Sequence, residues 1–566
     1  MAQTSAAGKL GRTLVAGALA FSCMPAAALA AETDENPMES QGQQEQQQPE
    51  GEGGGDMGGG SGGGADTMTF DYTGDYEGVI EADGEENSAD SGSYDATESD
   101  QNAALAENGG TLTLANLSLS KAGDDSDGDR CNFYGVNSVL LAVGENSLAT
   151  FQSSSITAKS EGSNGIFATD SGTVYATDFS ISTSADNSRG LDATYGGTIV
   201  ASNASIETQG GHCASIATDR GGGYVSVTDS SLSTAGDGSP LLYSTGDIEV
   251  SGVSGTATGS QIAGMEGLNT ILINSSSLES TVTGTSGSDP VANGVIIYQS
   301  TSGDAEASTG ERASFQAVNS TLTSSIESGS MFYLTNTSAD LVLSSTTLNF
   351  NTEAANLILA AGNDSNNWGS AGSNGADASV TAIGQTLEGT VEADTISSVD
   401  LYLTEGSSWT GKTVISENSA GSSSEAPLSV SVDGTSTWTV TEDCELSTLT
   451  VADGGSVVDA DGKSVSIVAD GETVVAGDSD LTVTVNGSYS TDYDSSAAGT
   501  LESELIDRSG FDETFNCDTD WALGDAADGG SASADSADGG SGNGGFFAAI
   551  AQFFNNIAAW FKGLFS

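Results

Sequence analysis

Three consecutive blocks of 25 residues, spanning residues 166–240, can be laid on top of one another. They read IFATDSGTVYATDFSISTSADNSRG, LDATYGGTIVASNASIETQGGHCAS and IATDRGGGYVSVTDSSLSTAGDGSP. A fixed period of this length is typical of one supersecondary unit stacked on its own copies, because such a unit cannot bury its apolar face alone. The repeat therefore predicts a solenoid, which offers long flat surfaces rather than one deep pocket.

Each block contains an eight-residue signature in which apolar residues alternate until a turn residue breaks the alternation. In the first block the signature runs from Val174 to Ile181 and its turn residue is Asp178. Alternation places the apolar side chains on one side of a strand. Asn, Asp, Ser and Gly tolerate a left-handed backbone, so we expect a bend there and a second strand after it. Equivalent turn residues in other copies are Asn116, Asn203, Asp229, Asn319 and Ser345.

A third short strand opens each block, at Ile166, Leu191 and Ile216. Three strands per coil define a parallel β-helix, and the handedness rule for parallel crossovers makes it right-handed. We therefore predict an all-β fold: a right-handed parallel β-helix, or solenoid, with flexible termini and a short C-terminal amphipathic helix. The same opening strand recurs in later copies at Leu241, Val295, Met331 and Leu357.

The repeats also resemble known proteins. Over roughly residues 100–400 the blocks resemble right-handed β-helix proteins of the pectate-lyase-like (pectin lyase-like) kind, and more closely the repeats of bacterial surface adhesins. Near residues 401–451, Trp409 and Trp438 follow GSS and GTST, which resembles the Gly-Ser-Trp-Val-Thr repeat of autotransporter passenger domains. These resemblances imply a β-helix fold and, as an expectation, a role at a cell surface.

The first thirty residues have the pattern of a secretory signal peptide. Lys9 and Arg12 precede an apolar run that ends in Ala-Leu-Ala. Processing would remove both cations and no acid, and so make the formal net charge of −67 more negative by two. A surface this acidic repels nucleic acids and anionic membranes, so nucleic-acid binding is excluded. We expect a secreted, cell-surface-associated protein.

Composition divides the remainder of the chain. Residues 31–66 are rich in Gln, Glu and Gly, have no apolar periodicity, and predict a disordered linker. Residues 67–404 are assigned to the β-helix, and residues 405–521 either continue it or form a β cap. A Gly/Ser/Asp linker at residues 522–544 then leads to an amphipathic helix at residues 545–566.

The predicted C-terminal helix is strongly apolar and needs a surface to cover it. We expect it to anchor the protein at a membrane or envelope surface or to associate with other copies, and docking on the solenoid is the alternative. Its apolar residues recur at helical spacing: Phe546, Ile550, Phe553, Ile557, Trp560 and Leu564.

The best candidate binding site combines Arg, Asp and Tyr residues on adjacent coils. A 25-residue period stacks Asp170, Tyr195 and Arg220 in one column. Such a patch suits a neutral glycan, with Tyr195 as a stacking platform and the charged groups as hydrogen-bonding partners. The alternative is a stacked polar ladder that only stabilises the coil. The tentative ligand-binding set is Arg189, Asp192, Tyr195, His212, Asp219 and Arg220.

One metal site is considered. Asp125, Asp127 and Asp129 stand at alternate positions and could share a calcium ion, although the match to an EF-hand loop fails and a solvated acidic loop is the alternative. Ca²⁺ is the one cofactor considered.

Four cysteines remain after removal of the signal peptide. Cys444 and Cys517 both lie beyond the repeat, and we predict that they form a disulfide. Cys131 and Cys213 fall on different coils at different phases, so we do not expect them to pair.

These features favour an exported, non-enzymatic β-helix protein of the cell surface, acting as an adhesin or as a stalk that binds a glycan or a protein of a host or neighbouring surface. The chief alternative is a carbohydrate-active enzyme, a polysaccharide lyase or glycoside hydrolase, that uses Arg189, Asp192 and Arg220. A purely structural component of the cell envelope is the third possibility.

Overall fold

Parallel strands stacked one coil above another form almost the whole molecule. The structure is a computed structural model that describes residues 69–305, 311–365, 368–421 and 426–524. Leu191 pairs with Ile166 on one side and with Ile216 on the other, as the period requires. The all-β parallel β-helix is therefore confirmed. The segments predicted to be a signal peptide, a first linker and a C-terminal helix, and most of the predicted second linker, lie outside the described residues.

The coils have three faces, each a ladder of parallel strands. The first face comprises thirteen strands: Gly78–Asp83, Asn102–Glu107, Leu140–Val143, Ile166–Thr169, Leu191–Ala193, Ile216–Thr218, Leu242–Ser244, Ala263–Glu266, Asn293–Tyr298, Ser330–Thr335, Asn356–Ala360, Val391–Asp394 and Thr413–Ser416.

The second and third faces meet at a corner, and in the early coils one long strand runs through both. The second face comprises Glu86–Ala96, Thr111–Lys121, Leu148–Gln152, Thr173–Thr183, Gly197–Thr208, Gly223–Thr228, Asp247–Ser251, Thr270–Asn274, Ala313–Val318, Ser338–Ser344, Asp377–Ile383, Ser398–Thr404, Leu428–Val432, Cys444–Val451 and Thr482–Ser490. The third face comprises the C-terminal parts of the four long strands Glu86–Ala96, Thr111–Lys121, Thr173–Thr183 and Gly197–Thr208, together with the separate strands Ser155–Ala158, Ser231–Thr234, Ser254–Ala257, Ser277–Ser280, Thr321–Ser324, Thr347–Asn349, Thr386–Glu388, Ser408–Gly411, Thr437–Val440 and Ser456–Val458.

The corner between the second and third faces is formed in most coils by a residue with a left-handed backbone. The six turn residues predicted from the signature, Asp178 and its equivalents, all have φ between 49° and 55°. This backbone region is accessible to Asn and Asp and costly for β-branched residues. The signature therefore predicted the bend for the correct physical reason.

A hydroxyl group satisfies the backbone that the corner exposes. After the corner in one coil, the N–H of Ala204 donates to Ser230 Oγ of the next coil at 3.0 Å, and Ser230 donates in turn to the Thr228 carbonyl at 2.7 Å. The pair Val253–Ser276 repeats this arrangement. Because buried backbone groups need partners, a Ser or Thr at this position replaces the ladder bond that the bend removes.

The interior is filled by in-register columns of aliphatic side chains. Trp409 and Trp438 are fully buried, pair in register on the third face, and stack with ring centroids 4.8 Å apart. Pairing across residue 405 is continuous, since Val391 pairs with Thr413 and Val399 with Leu428. One predicted position was wrong by a residue: Leu242, not Leu241, pairs with Ile216, because the third block contains an extra residue in its glycine-rich turn.

Two further elements close the described part of the β-helix. A hairpin of Ser466–Ala469 and Glu472–Val475, paired in antiparallel fashion, follows the last third-face strand. Residues 499–524 then run back along the outside of the second face; we call this segment the strap. It contains the helix Ser509–Phe515, the second α-helix after Gly128–Tyr134, and is preceded by the 3-10 turn Ser495–Ala497.

The strap is attached by buried contacts that are distant in sequence. The Arg508 guanidinium donates to the Ser226 carbonyl at 3.1 Å and to the Ala201 carbonyl at 3.2 Å. Phe511 is fully buried and meets the Tyr175 ring edge-on at 6.1 Å. The backbone N–H of Ile506 donates to the Glu249 carboxylate at 3.0 Å. The strap therefore joins coils that are well separated along the solenoid.

The corner can be tested with a pair of substitutions at Asn203. Asn203→Val places a β-branched side chain at φ 55° and should destabilise the protein by about 1–3 kcal/mol. Asn203→Gly should change stability by no more than a few tenths of the loss expected for Asn203→Val, because glycine adopts this conformation without strain. Urea unfolding of both variants makes the comparison, and equal losses would contradict the role of the corner.

The strap can be tested by limited proteolysis. Phe511→Ala removes a buried ring, a change that costs about 3–5 kcal/mol in protein cores, and should make residues 499–524 susceptible to cleavage while the coils stay resistant. Glu513→Gln, an exposed change in the same helix, serves as the control. Equal resistance of the Phe511→Ala variant and its control would show that the strap is not held by this ring.

Candidate functional site

The predicted patch lies on the outer side of the first face, beneath a short helix. On the strand Leu191–Ala193, Leu191 joins the core and Asp192 occupies the alternate position. The helix Gly128–Tyr134 covers this area: Thr194 Oγ1 donates to the Phe133 carbonyl at 2.8 Å, and Asn164 Nδ2 donates to the Cys131 carbonyl at 3.2 Å. The patch is thus an interface between the coils and an inserted helix.

Arg189 is the centre of a buried ionic cluster. Its Nη2 lies 2.7 Å from Asp219 Oδ2, and its Nη1 lies 3.4 Å from Asp192 Oδ2. Nη1 also donates to Asn132 Oδ1 of the covering helix at 3.1 Å. Arg189 is 8% exposed, Asp219 4% and Asp192 0%. One guanidinium therefore serves two buried carboxyl groups and ties the helix to the coils.

The pKa of each of the two carboxyl groups in this cluster is raised. Burial raises the pKa of Asp192; the Arg189 guanidinium opposes that shift and Asp219 adds to it. Burial also raises the pKa of Asp219, again against Arg189. Asp192 is fully buried and lies 3.4 Å from Arg189 Nη1, whereas Asp219 lies 2.7 Å from Arg189 Nη2. One base thus serves two buried acids, and its contact with Asp192 is the longer of the two.

Arg220 and Tyr195 lie beside this cluster and are also enclosed. The Arg220 guanidinium stacks 3.6 Å from the centre of the Phe133 ring, and its Nε donates to Asp304 Oδ1 at 2.8 Å. The Tyr195 ring stacks on Tyr134 with centroids 5.4 Å apart and an interplanar angle of 9°. Tyr195 is 7% exposed. The expectation that Tyr195 offers an open platform to a sugar is wrong, because Tyr134 already covers the ring.

His212 does not join the cluster. It is exposed, with φ 56°, at the turn that follows the third face. Its ring lies against Gly238, where an added Cβ would come within 3.0 Å of Nδ1. The other five residues of the predicted site lie close to one another beneath the helix, whereas the histidine lies in a turn outside this cluster.

A third buried acid, which sequence reasoning missed, lies on the same face. Glu266 is 4% exposed and accepts hydrogen bonds from the hydroxyl groups of Tyr243 and Tyr298, both at 2.9 Å, and from Ser300. Burial raises the pKa of Glu266, and these hydroxyl groups oppose the shift. Asp304, the partner of Arg220, belongs to the same covering loop as Ser300. No repeat signature marks this loop, so only aromatic residues at outward strand positions could have indicated it.

The predicted calcium ligands are used differently. Asp127 caps the helix Gly128–Tyr134 by accepting from the Asp129 and Arg130 backbone N–H groups. Gly162 lies against the Asp125 carboxylate. Among the described residues, the carboxylate groups close enough to share a cation are Glu81 with Asp83 and Glu107, and Asp512 with Asp518 and Asp520. The expected calcium triad is therefore not assembled, because capping turns its central member toward the backbone.

The predicted disulfide is likewise not formed. All four described cysteines are free. Cys444 pairs with Val483 in the late coils, whereas Cys517 follows the strap helix, and Arg508 at the start of that helix bonds to Ser226 many coils earlier. Cys213 has a structural role: its sulfur accepts from the Ser188 N–H at 3.0 Å, at a corner position that Ser239 fills in the next coil.

The third face presents a different candidate surface, an exposed column of hydroxyl groups. The alternation of the strands turns these side chains outward, and no charged residue interrupts the column in a chain with 79 acidic residues. A neighbouring column two residues further on is also mostly Ser and Thr, but Asp95, Glu207 and Glu279 interrupt it. We call the first column the hydroxyl face; it consists of Ser93, Ser118, Ser155, Ser180, Ser205, Ser231, Ser254, Ser277, Thr321 and Thr347.

Comparisons place the chain in no family. The sequence matches no protein-family model and no curated protein. The described helices are all too short or too polar to cross a bilayer. Function therefore has to be argued from the surfaces of this chain alone.

The role of the ionic cluster can be tested through the pH dependence of protein stability. Arg189→Met leaves Asp192 and Asp219 buried without their cation and should destabilise the protein by about 3–5 kcal/mol at pH 8. A carboxyl group whose pKa is raised in the folded state binds a proton more tightly there than in the unfolded state. Protonation therefore stabilises the fold: this stabilisation is complete below the ordinary pKa of about 3.9 and is lost as the pH rises through the raised pKa. The loss should therefore be smaller at pH 5.

The control is Arg130→Met, which removes an arginine that is 52% exposed and paired with Asp127. This change should cost no more than about 1 kcal/mol at either pH. Urea unfolding of both variants at the two pH values makes the measurement. A loss in Arg189→Met that does not change with pH would contradict the inference that burial raises the pKa of these two acids.

Proposed function

We propose that the protein is an exported, non-enzymatic surface protein whose β-helix presents a binding face to a glycan or to a protein of a neighbouring surface. The observation that carries this proposal is the hydroxyl face, which is uncharged over ten successive coils while the rest of the chain is strongly acidic. A flat array of donors and acceptors at the spacing of paired strands suits an extended ligand that is itself repetitive.

The enclosure of the Arg189 cluster supports the same proposal. Its carboxyl groups are covered by the helix Gly128–Tyr134 and are tied to arginine side chains. A substrate would have to displace that helix to reach them. These contacts favour a structural role for the cluster and leave binding to the exposed third face.

The enzyme alternative keeps one specific observation in its favour. Asp192, Asp219 and Glu266 share the outer side of the first face, and burial raises the pKa of each. Perturbed carboxyl groups are typical of catalytic sites, as well as of buried ion-pair networks. Release of unsaturated or reducing ends from polysaccharides, abolished by Arg220→Ala in a protein that remains folded, would overturn the binding assignment.

The binding proposal is tested with bulky substitutions on the hydroxyl face. Ser205→Trp together with Ser254→Trp should weaken binding of the full chain to immobilised glycans or cell-surface proteins by at least about tenfold, since the rings hold a flat ligand away from the column. Ser370→Trp, at an exposed serine outside this face, serves as the control. Binding that survives the double substitution, or that fails equally in the control, would contradict the role of this face.

A further inference from the structure

The third face is interrupted between two successive coils. Thr347–Asn349 pairs with the preceding strand Thr321–Ser324, and Thr386–Glu388 pairs with the following strand Ser408–Gly411. The two middle strands do not pair with each other, although the second-face strands of the same coils pair fully, up to Ser344 with Ile383. In this described part of the chain the coils thus separate only after they turn the corner.

A glutamine side chain fills the start of the gap. Elsewhere at this corner a Ser or Thr hydroxyl meets the backbone of the neighbouring coil. Here the Gln385 side-chain amide accepts from the Thr346 N–H at 2.8 Å and donates to the Thr346 carbonyl at 2.6 Å. Gln385 is 1% exposed. The amide pairs with Thr346 as a peptide group of an inserted strand would, which indicates that the gap has the width of a strand.

An aromatic side chain holds the other end of the gap apart. Phe350 is half-buried, contacts the core, and lies against Gly389, where an added Cβ would be 3.4 Å from its Cζ. Gly389 has φ 119°, a conformation that requires glycine. Between Gln385 and Phe350 lies a cleft of about 740 Å³, within the usual range for ligand sites.

The walls of this cleft are strand edges with backbone groups pointing into it. In a parallel ladder successive residues bond to opposite sides. Thr347 donates toward the preceding coil, to the Ser320 carbonyl, and the Gln385 carbonyl accepts from Ser408 of the following coil. The backbone groups of Leu348 on one strand, and of Thr386 and Glu388 on the other, therefore face the cleft. The Thr386 carbonyl already accepts from Gln385 Nε2 at 2.8 Å, so an added strand would pair with Leu348, with Glu388 and with the Thr386 N–H.

The charge around the cleft defines its partner. Glu388 lines both the cleft and an adjoining hollow of about 440 Å³, which also contains Glu353 and Glu442. The cation of that hollow, Lys412, is paired with Glu442 at 2.7 Å. An occupant with its own positive charge would find unmatched carboxylates here, whereas an acidic one would be repelled.

We propose that this cleft binds an extended peptide segment of a partner protein, which completes the third face as an added strand and places a Lys or Arg beside Glu388 and Glu353. Strand addition supplies main-chain hydrogen bonds on both sides, and the acidic rim selects a basic sequence. The site adjoins the hydroxyl face at Thr347, which also lines the cleft, but it uses strand edges rather than outward hydroxyl groups, so neither proposal depends on the other.

The test measures binding of a fluorescein-labelled peptide of alternating lysine and threonine to the full chain by fluorescence anisotropy. High salt is used because it screens the general attraction of a basic peptide to an acidic surface. Methylation of alternate peptide nitrogens keeps the charge and removes main-chain donors, so it should weaken binding by more than about tenfold. Glu388→Gln should weaken binding roughly threefold. Glu417→Gln, which removes an exposed acid elsewhere, should leave it unchanged.

Hydrogen exchange locates the peptide. Bound peptide should slow exchange at the Leu348 and Glu388 amides, while amides of the paired second face remain as they were. Equal binding of the methylated peptide, an equal effect of Glu417→Gln, or no binding would each overturn the proposal. Slow exchange at both amides without peptide, lost when the chain is shortened to residue 524, would assign the cleft to a segment of this chain and would also overturn it.

Discussion

The structure depends on the bend between the second and third faces. Most coils turn inward there because one residue, such as Asn203, adopts a left-handed backbone. The bend removes a regular ladder bond, and a hydroxyl such as that of Ser230 restores a partner for the exposed N–H. Without both parts the apolar columns of successive coils could not lie over one another, since the solenoid buries its interior only through stacking.

The sequence predicted the coils well because their determinants are local. Asp178 and the residues around it carry both the alternation and the turn, so eight residues specify one corner. The covering elements were not predicted for the opposite reason. The helix Gly128–Tyr134, the loop with Asp304 and the strap have no period, and Arg508 meets Ser226 across 282 residues. Their partners could not be inferred from spacing along the chain.

The candidate site shows the same division. The repeat period correctly predicted that Arg189, Asp192 and Asp219 lie close together on adjacent coils. It did not predict the helix that covers them. His212 was included in the predicted site because of its position in the repeat block. That position does not indicate that the histidine lies in a turn, which directs its ring away from the site. The disulfide between Cys444 and Cys517 was wrong because the strap runs back over early coils.

The few cations of this acidic chain hold its additions in place. Arg189 joins the helix to two coils, Arg220 joins the Asp304 loop to Phe133, and Arg508 attaches the strap. An arginine in a low-dielectric contact is useful here because the acids around it would otherwise repel one another. This use of positive charge moves the search for binding surfaces away from the arginines. It directs attention to places where the regular coil is exposed or interrupted: the uncharged hydroxyl face and the gap beside Gln385, where a side-chain amide pairs with Thr346 in place of a neighbouring strand.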